Sequence, residues 1–187
     1  MSEVNKPEQD DIKSPAQVDY EQGLTFLNDK DIAQAAAAFH NALLGYEQEK
    51  DENGVANAAM RLADICITKK DYDKALKHCE TAYAICEKHS DRLSLLTIEA
   101  KRATIFHEWG KYEEAIPRYV DLIDEYNAMR NPQATVETLE TLAKIYMKVQ
   151  DREKAADCYN TIASIHKAFK HDNFYNKYTQ KAEELLT

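Results

Sequence analysis

A spacing of small and aromatic side chains that returns every forty residues, four times without insertion or deletion, constrains this chain more than any other feature. Ala63, Cys66, Asp71, Ala75, Cys79 and Ala82 map in steps of 40 onto Gly23, Phe26, Asp31, Ala35, Phe39 and Ala42. The next two copies are Ala103, Phe106, Lys111, Ala115, Tyr119 and Leu122, then Ala143, Tyr146, Asp151, Ala155, Tyr159 and Ile162. A fixed period of about 20 to 50 residues is what a stack of similar supersecondary units leaves in a sequence. Within a copy, Ala75, Cys79, Ala82 and Cys86 follow in steps of four, three and four. That spacing draws one apolar stripe along a helix, so each copy reads as two helices joined by a short turn.

Composition supports an all-α chain. Only 4 Gly and 4 Pro interrupt 187 residues, and 44% hydrophobic with 30% charged residues fits a folded soluble protein. A formal net charge of -9 disfavours nucleic acid or an anionic membrane surface as the main partner, because both would be repelled. No stretch reaches the roughly 20 apolar residues of a spanning helix, and MSEVNKPEQDD has no apolar run of a secretory signal. The expectation is a cytoplasmic protein with no membrane insertion.

In chain order, residues 1–13 lack periodicity and read as a disordered tail ahead of one helical domain over 14–187. Repeats are expected at about 16–50, 55–90, 92–130 and 132–170, with a capping helix at 172–186. Ser14 is placed to cap the first helix, Pro15 fits its first position, and Gln17 is expected to close a capping box. Asp31, Asp71 and Asp151 open second helices. Asp51 to Gly54 reads as a connection into a helix running from Val55 to about Lys69, Gly110 as a left-handed stop, and Pro117 as a kink.

The register has a physical reason. Two helices cross closely where small side chains meet, and Gly23, Ala63, Ala103 and Ala143 form one such set and Ala35, Ala75, Ala115 and Ala155 another. Phe26, Phe39, Phe106, Tyr119, Tyr146 and Tyr159 are expected to pack between units. Of the four cysteines, Cys66 and Cys79 stand where sister copies carry Phe or Tyr, so they read as small buried hydrophobes. No Cys-x-x-Cys pair is present, and Cys79 and Cys86 are two turns apart, too far for a disulfide.

The Gly23-x-x-Phe26 and Ala35-x-x-x-Phe39 pairs, with Ala63, Tyr72, Ala75, Ala82, Ala103, Tyr112, Ala115, Tyr119, Ala143, Tyr146, Ala155 and Tyr159, resemble the tetratricopeptide repeat family over about residues 16–186. The resemblance implies a right-handed α-solenoid of four helix-turn-helix repeats plus a C-terminal capping helix. The usual repeat has about 34 residues. A period of 40 lengthens each helix and is similar to the subclass in some bacterial peptide sensors and in motor-protein and polarity adaptors. Gln22 and Arg102 depart from the family's usual Leu, which implies looser packing in the first and third units.

In this family the binding surface is usually the concave face lined by the first helix of each pair. The resemblance implies that Tyr20, Leu24, Asn57, Met60, Arg61, Asp64, Lys101, Thr104, His107, Glu140, Lys144 and Met147 face a partner protein or peptide there. Gln17, Leu27, Ile67, Thr97 and Glu137 share that helix face. The carboxylate clamp of heat-shock co-chaperones in the family is mostly missing. Its sites hold Tyr20, Leu24, Arg61 and Thr97, and only Lys101 is basic where expected.

Catalytic signatures are wanting: no Gly-rich phosphate loop, no Gly-x-Ser-x-Gly elbow and no His-Glu-x-x-His helix. The six histidines lie on different segments without a second ligand at i+3 or i+4, so neither a metal nor a cofactor is expected. The reading is a non-catalytic interaction scaffold or adaptor. The alternatives are a peptide-responsive sensor and a module that self-associates through its ends.

Overall fold

The structure is a computed structural model that describes residues 13–187. Residues 1–12 of the expected tail lie outside the described residues. Lys13, the last residue of that segment, is described, and its ammonium pairs with Glu21 at 2.6 Å. Among the described residues there are nine helices and no strand: α1 (Pro15–Asn28), α2 (Ile32–Glu49), α3 (Glu52–Thr68), α4 (Tyr72–Lys88), α5 (Arg92–Glu108), α6 (Tyr112–Ala128), α7 (Pro132–Lys148), α8 (Arg152–Ala168) and α9 (Asp172–Leu186). The all-α repeat fold read from the period is therefore the observed one.

The turns explain the period. Each of α3 to α8 has 17 residues, and a three-residue turn follows each of them, so a pair takes 40. Every turn holds one residue in the left-handed region, at every twentieth position: Lys30, Lys50, Lys70, Ser90, Gly110, Arg130, Gln150 and Lys170, with φ between 53° and 78°. Its N–H and the next one fold back onto the ending helix, as in Lys30 N–H to Leu27 O at 3.0 Å and Asp31 N–H to Phe26 O at 2.8 Å. At six of the eight turns the residue after the left-handed one caps the next helix, Lys111 and His171 being the exceptions. Asp31, Asp51, Asp71, Asp91, Asn131 and Asp151 each accept from the backbone N–H three residues on. One residue thus closes one helix and opens the next, which leaves no slack for insertions.

Two local expectations are corrected. Gly54 is not in a connection: Asp51 is the cap, α3 already starts at Glu52, and Gly54 is buried in its first turn beneath Tyr46. Gln17 does not close a capping box, because its amide donates to Glu21 at 3.2 Å while Ser14 alone accepts from the Gln17 N–H. The left-handed stop expected at Gly110 is observed, with φ 78°, and seven other residues adopt the same conformation. Pro117 sits inside α6, which runs unbroken from Tyr112 to Ala128.

The chain divides into two compact units, Met1–Ser90 and Asp91–Thr187. In the first, α1 packs on α2, α2 on α3 and α3 on α4. One layer of its core joins Ala35, Phe39, Leu62 and Ile65 with Tyr20, Leu24 and Phe26; another joins Ala16, Ala42, Tyr46, Val55 and Ala58. Small residues allow the close approach: a Cβ at Gly23 would lie 2.7 Å from the Phe39 ring. In the second unit, α5 packs on α6, α6 on α7, α7 on α8 and α8 on α9. Ala103, Ala115, Ala143 and Ala155 are fully buried there, with Tyr119, Leu122, Leu142, Tyr146 and Ile162 around them. Helix α5 buries only Ile98, Ala103 and Ile105, against seven residues in α7. Arg102 on α5 is half-buried and paired with Glu99 at 2.8 Å where an apolar side chain would have joined the core. Cys79, Cys86 and Cys158 are buried and Cys66 half-buried, all as free thiols.

Candidate functional site

The residues proposed from the odd-numbered helices divide between the two units. In the first, Tyr20 on α1 and Arg61 on α3 meet: the Arg61 Nε donates to the Tyr20 hydroxyl at 3.2 Å. The Tyr20 ring is wedged edge-on against Phe39, with centroids 5.3 Å apart, and lies 6.4 Å from Tyr46. That hydroxyl, ahead of the carboxylate of Asp64, raises the pKa of a guanidinium that is charged at any working pH. The result is an exposed cation fixed at its root by a core aromatic. Asn57 is exposed, Met60 and Ile67 are half-buried, and Leu24 and Leu27 pack into the core rather than onto a free face.

In the second unit, Thr97 and Thr104 spend their hydroxyls on carbonyls one turn back, Leu93 and Ala100, each at 3.0 Å. His107 is held between the Tyr112 and Tyr119 rings, both with centroids at 6.2 Å. Lys101 is half-buried; Lys144 and Met147 are exposed. Glu137 accepts from Gln133 at 3.0 Å, and Glu140 accepts from the hydroxyl of Tyr178 on α9.

That last contact leads to a cluster of which the sequence reading singles out only Tyr159, as a packing residue. Phe174, His166, Tyr178 and Tyr159 form a ladder of near-parallel rings between α8 and α9, with successive centroids 4.9, 5.5 and 6.1 Å apart. The ammonium of Lys177 lies 5.3 Å from the Tyr178 ring, and that of Lys181 lies 5.2 Å from Tyr159. Such placement over a ring face is attractive by about 0.5–1 kcal/mol at exposed sites. Burial, then the Glu140 contact, pushes the Tyr178 phenol up to about 12. Burial, then the neighbouring His171, lowers the pKa of His166. The signal was available in the sequence: one more step of 40 carries Glu137 to Lys177 and Thr141 to Lys181. Reading α9 only as a cap stopped the register one helix too early.

Among the described residues, no group of three or more His, Cys, Asp or Glu is placed to hold a metal ion, and no helix is long and apolar enough to cross a membrane. The chemistry at these faces is that of ion pairs, hydrogen bonds and aromatic contacts.

Comparison with known proteins agrees with the geometry. A tetratricopeptide repeat family model matches residues 54–124. Among solved structures, the apo form of RapI superposes with a TM-score of 0.71 at 13% identity, covering 90% of this chain and 62% of that one. A putative kinesin light chain of Podosopora anserina with nearly identical TPR-like repeats gives 0.70 at 16%, covering 90% of both chains. A Rap protein complexed with Competence and Sporulation Factor gives 0.67 at 16%, covering 87% of this chain and 45% of that one. The chain thus spans less than two thirds of the length of either Rap protein. No curated protein matches it in sequence. Residues 54–124 carry tetratricopeptide repeats, and the chain has the fold of TPR-like repeat proteins.

Proposed function

We propose that this chain is a non-catalytic scaffold that holds an extended peptide or a helix of a partner protein against the odd-numbered helices within a unit, α1 and α3 in the first or α5, α7 and α9 in the second. The observation that carries this reading is the Arg61–Tyr20 contact. It costs little for a solvated arginine to wave freely, yet here the guanidinium is fixed by a hydroxyl that a core aromatic presents. A cation held still loses less conformational entropy when a carboxylate arrives. Lys144 and Met147 on α7, and Lys177 and Lys181 on α9, offer similar polar and apolar contacts within the second unit.

The test uses peptides selected from a displayed random library on the immobilised chain. Their affinities are then measured against wild type, Arg61→Glu and Lys144→Glu. Charge-assisted hydrogen bonds are worth roughly 1.5–3 kcal/mol, so a loss of about tenfold or more is expected in at least one variant. Selected peptides that bind both variants as tightly as wild type refute the assignment of this face. A second reading, a regulator that responds to a short peptide, is supported by the fold shared with the Rap protein in complex with Competence and Sporulation Factor. A peptide that changes the helical protection of the chain in hydrogen exchange beyond its contact residues would favour this second reading.

A further inference from the structure

We propose that a cleft between the start of α7 and the end of α8 is a second docking site, which takes one large apolar side chain from a short acidic peptide segment of a partner protein. The cleft has a volume of about 360 Å³ and is lined by Pro132, Val136, Ile165 and Phe169, with His166 and His171 at its side. That is the lower end of the range for ligand pockets, roughly 300–1,000 Å³, and suits an anchor side chain rather than a whole helix.

The register shows why the cleft opens here. Glu52, Arg92 and Pro132 occupy the same position of successive repeats. Glu52 reaches across to the end of α4, where it meets Lys88 at 2.5 Å and His89 at 2.7 Å. Arg92 reaches across to Glu125 on α6 at 2.7 Å. Proline has no side chain to extend over the gap, and position 165 holds Ile where position 125 holds Glu. The ion pairs that span this position in the two earlier repeats are therefore replaced by apolar walls. Phe169 is left 55% exposed and Phe174, just past the turn, 49% exposed.

Charge selects the occupant. From Cys158 to Ala182 there are four lysines, Lys167, Lys170, Lys177 and Lys181, against a single acid, Asp172, in a chain whose formal net charge is -9. Lys170 shares an adjoining hollow with His171, Asp172, Asn173 and Phe174. Glu137 is the one carboxylate lining the cleft, and it is engaged by Gln133. A segment with carboxylates on either side of a Leu or Phe meets attraction at this edge and repulsion over much of the rest of the surface.

The probe is a fluorescein-labelled peptide with a central Leu-Phe pair flanked by Asp and Glu, titrated against the full chain by anisotropy. A lysine-flanked version and a version with Ala-Ala at the centre serve as controls. Phe169→Ser should weaken binding at least tenfold and Lys170→Glu at least threefold, with circular dichroism and thermal melts unchanged because both side chains are exposed. Arg61→Glu and Lys144→Glu should both leave this binding intact, which separates the cleft from the face assigned above in either unit. The proposal is overturned by no saturable binding, by equal binding of the lysine-flanked peptide, or by indifference to Phe169→Ser. It is equally overturned if sedimentation shows self-association that Phe169→Ser abolishes, since the occupant would then be a second copy of this chain.

Discussion

Replacing Gly54 by Ala sets two ordinary effects against each other. In a helix, alanine is favoured over glycine by about 0.5–1 kcal/mol, because glycine loses more backbone freedom on folding. By that argument alone Gly54→Ala would stabilise α3. The structure reverses the sign. A Cβ at position 54 would lie 2.4 Å from both Cγ and Cδ1 of Tyr46 and 2.7 Å from Cδ2, where ordinary contact begins at 3.4 Å. The ring would have to retreat by about 1 Å, and it is buried against Ala16, Ala42, Val55 and Ala58. Forcing an extra methyl into such a site costs about 1–3 kcal/mol, so after the helix gain the net is a loss of up to about 2.5 kcal/mol. For a chain of this size each kcal/mol moves Tm by about 2–4 °C, which thermal melts resolve. The decisive comparison is a double-mutant cycle with Tyr46→Leu. With the ring gone the methyl has room, and Gly54→Ala in that background should be neutral or stabilising. A rise in Tm from Gly54→Ala alone, or the same loss in both backgrounds, would refute the reasoning.

Three further outcomes follow from the same structure. Lys70→Gly and Ser90→Gly should each raise stability by about 1 kcal/mol, as urea midpoints would show, because both residues hold a left-handed conformation that L side chains resist; Gly110→Ala should do the opposite. Ala75→Leu and Ala115→Leu, at fully buried crossing positions, should each cost about 1–3 kcal/mol or more, and unchanged melts for both would contradict the packing argument. Burial pushes the Cys158 thiol from the ordinary 9.0 up to about 11. A pKa raised by folding means that the stabilising contribution is complete below about pH 9 and is lost as pH rises through about 11. Iodoacetamide at pH 8 should therefore spare native Cys158 and modify it in urea, and Cys158→Ala should flatten the alkaline fall in stability.

The legible part of this fold is the part written in near neighbours. An acid or amide just before the first position of a helix, accepting from the N–H three residues on, is a local interaction, and six of the turns carry it in plain view. The forty-residue step is equally plain because each alanine answers one crossing, and Ala35, Ala75, Ala115 and Ala155 are all fully buried. The left-handed turn residues were hidden for the opposite reason. Lysine, serine, arginine and glutamine do not announce positive φ, and only Gly110 did. Helices already packed on both sides of each turn hold those residues there. Of the candidate face, the Arg61–Tyr20 contact joins two residues 41 apart, named separately as candidates but not as a pair. Lys177 and Lys181 were within reach of the same period but were set aside with α9.

By itself the sequence determined the nine helices of the described residues, their order and the small residues at which they cross, since period, caps and small residues act within a turn or between adjacent helices. Only the tertiary structure decided that Gly54 serves a tyrosine ring rather than a turn, that arginine is pinned by a phenol, and that a cleft stays open beside Pro132. Each of these depends on whether a side chain eight to forty-one residues away fills, bridges or vacates the same space, and the pattern along the chain does not carry that distance.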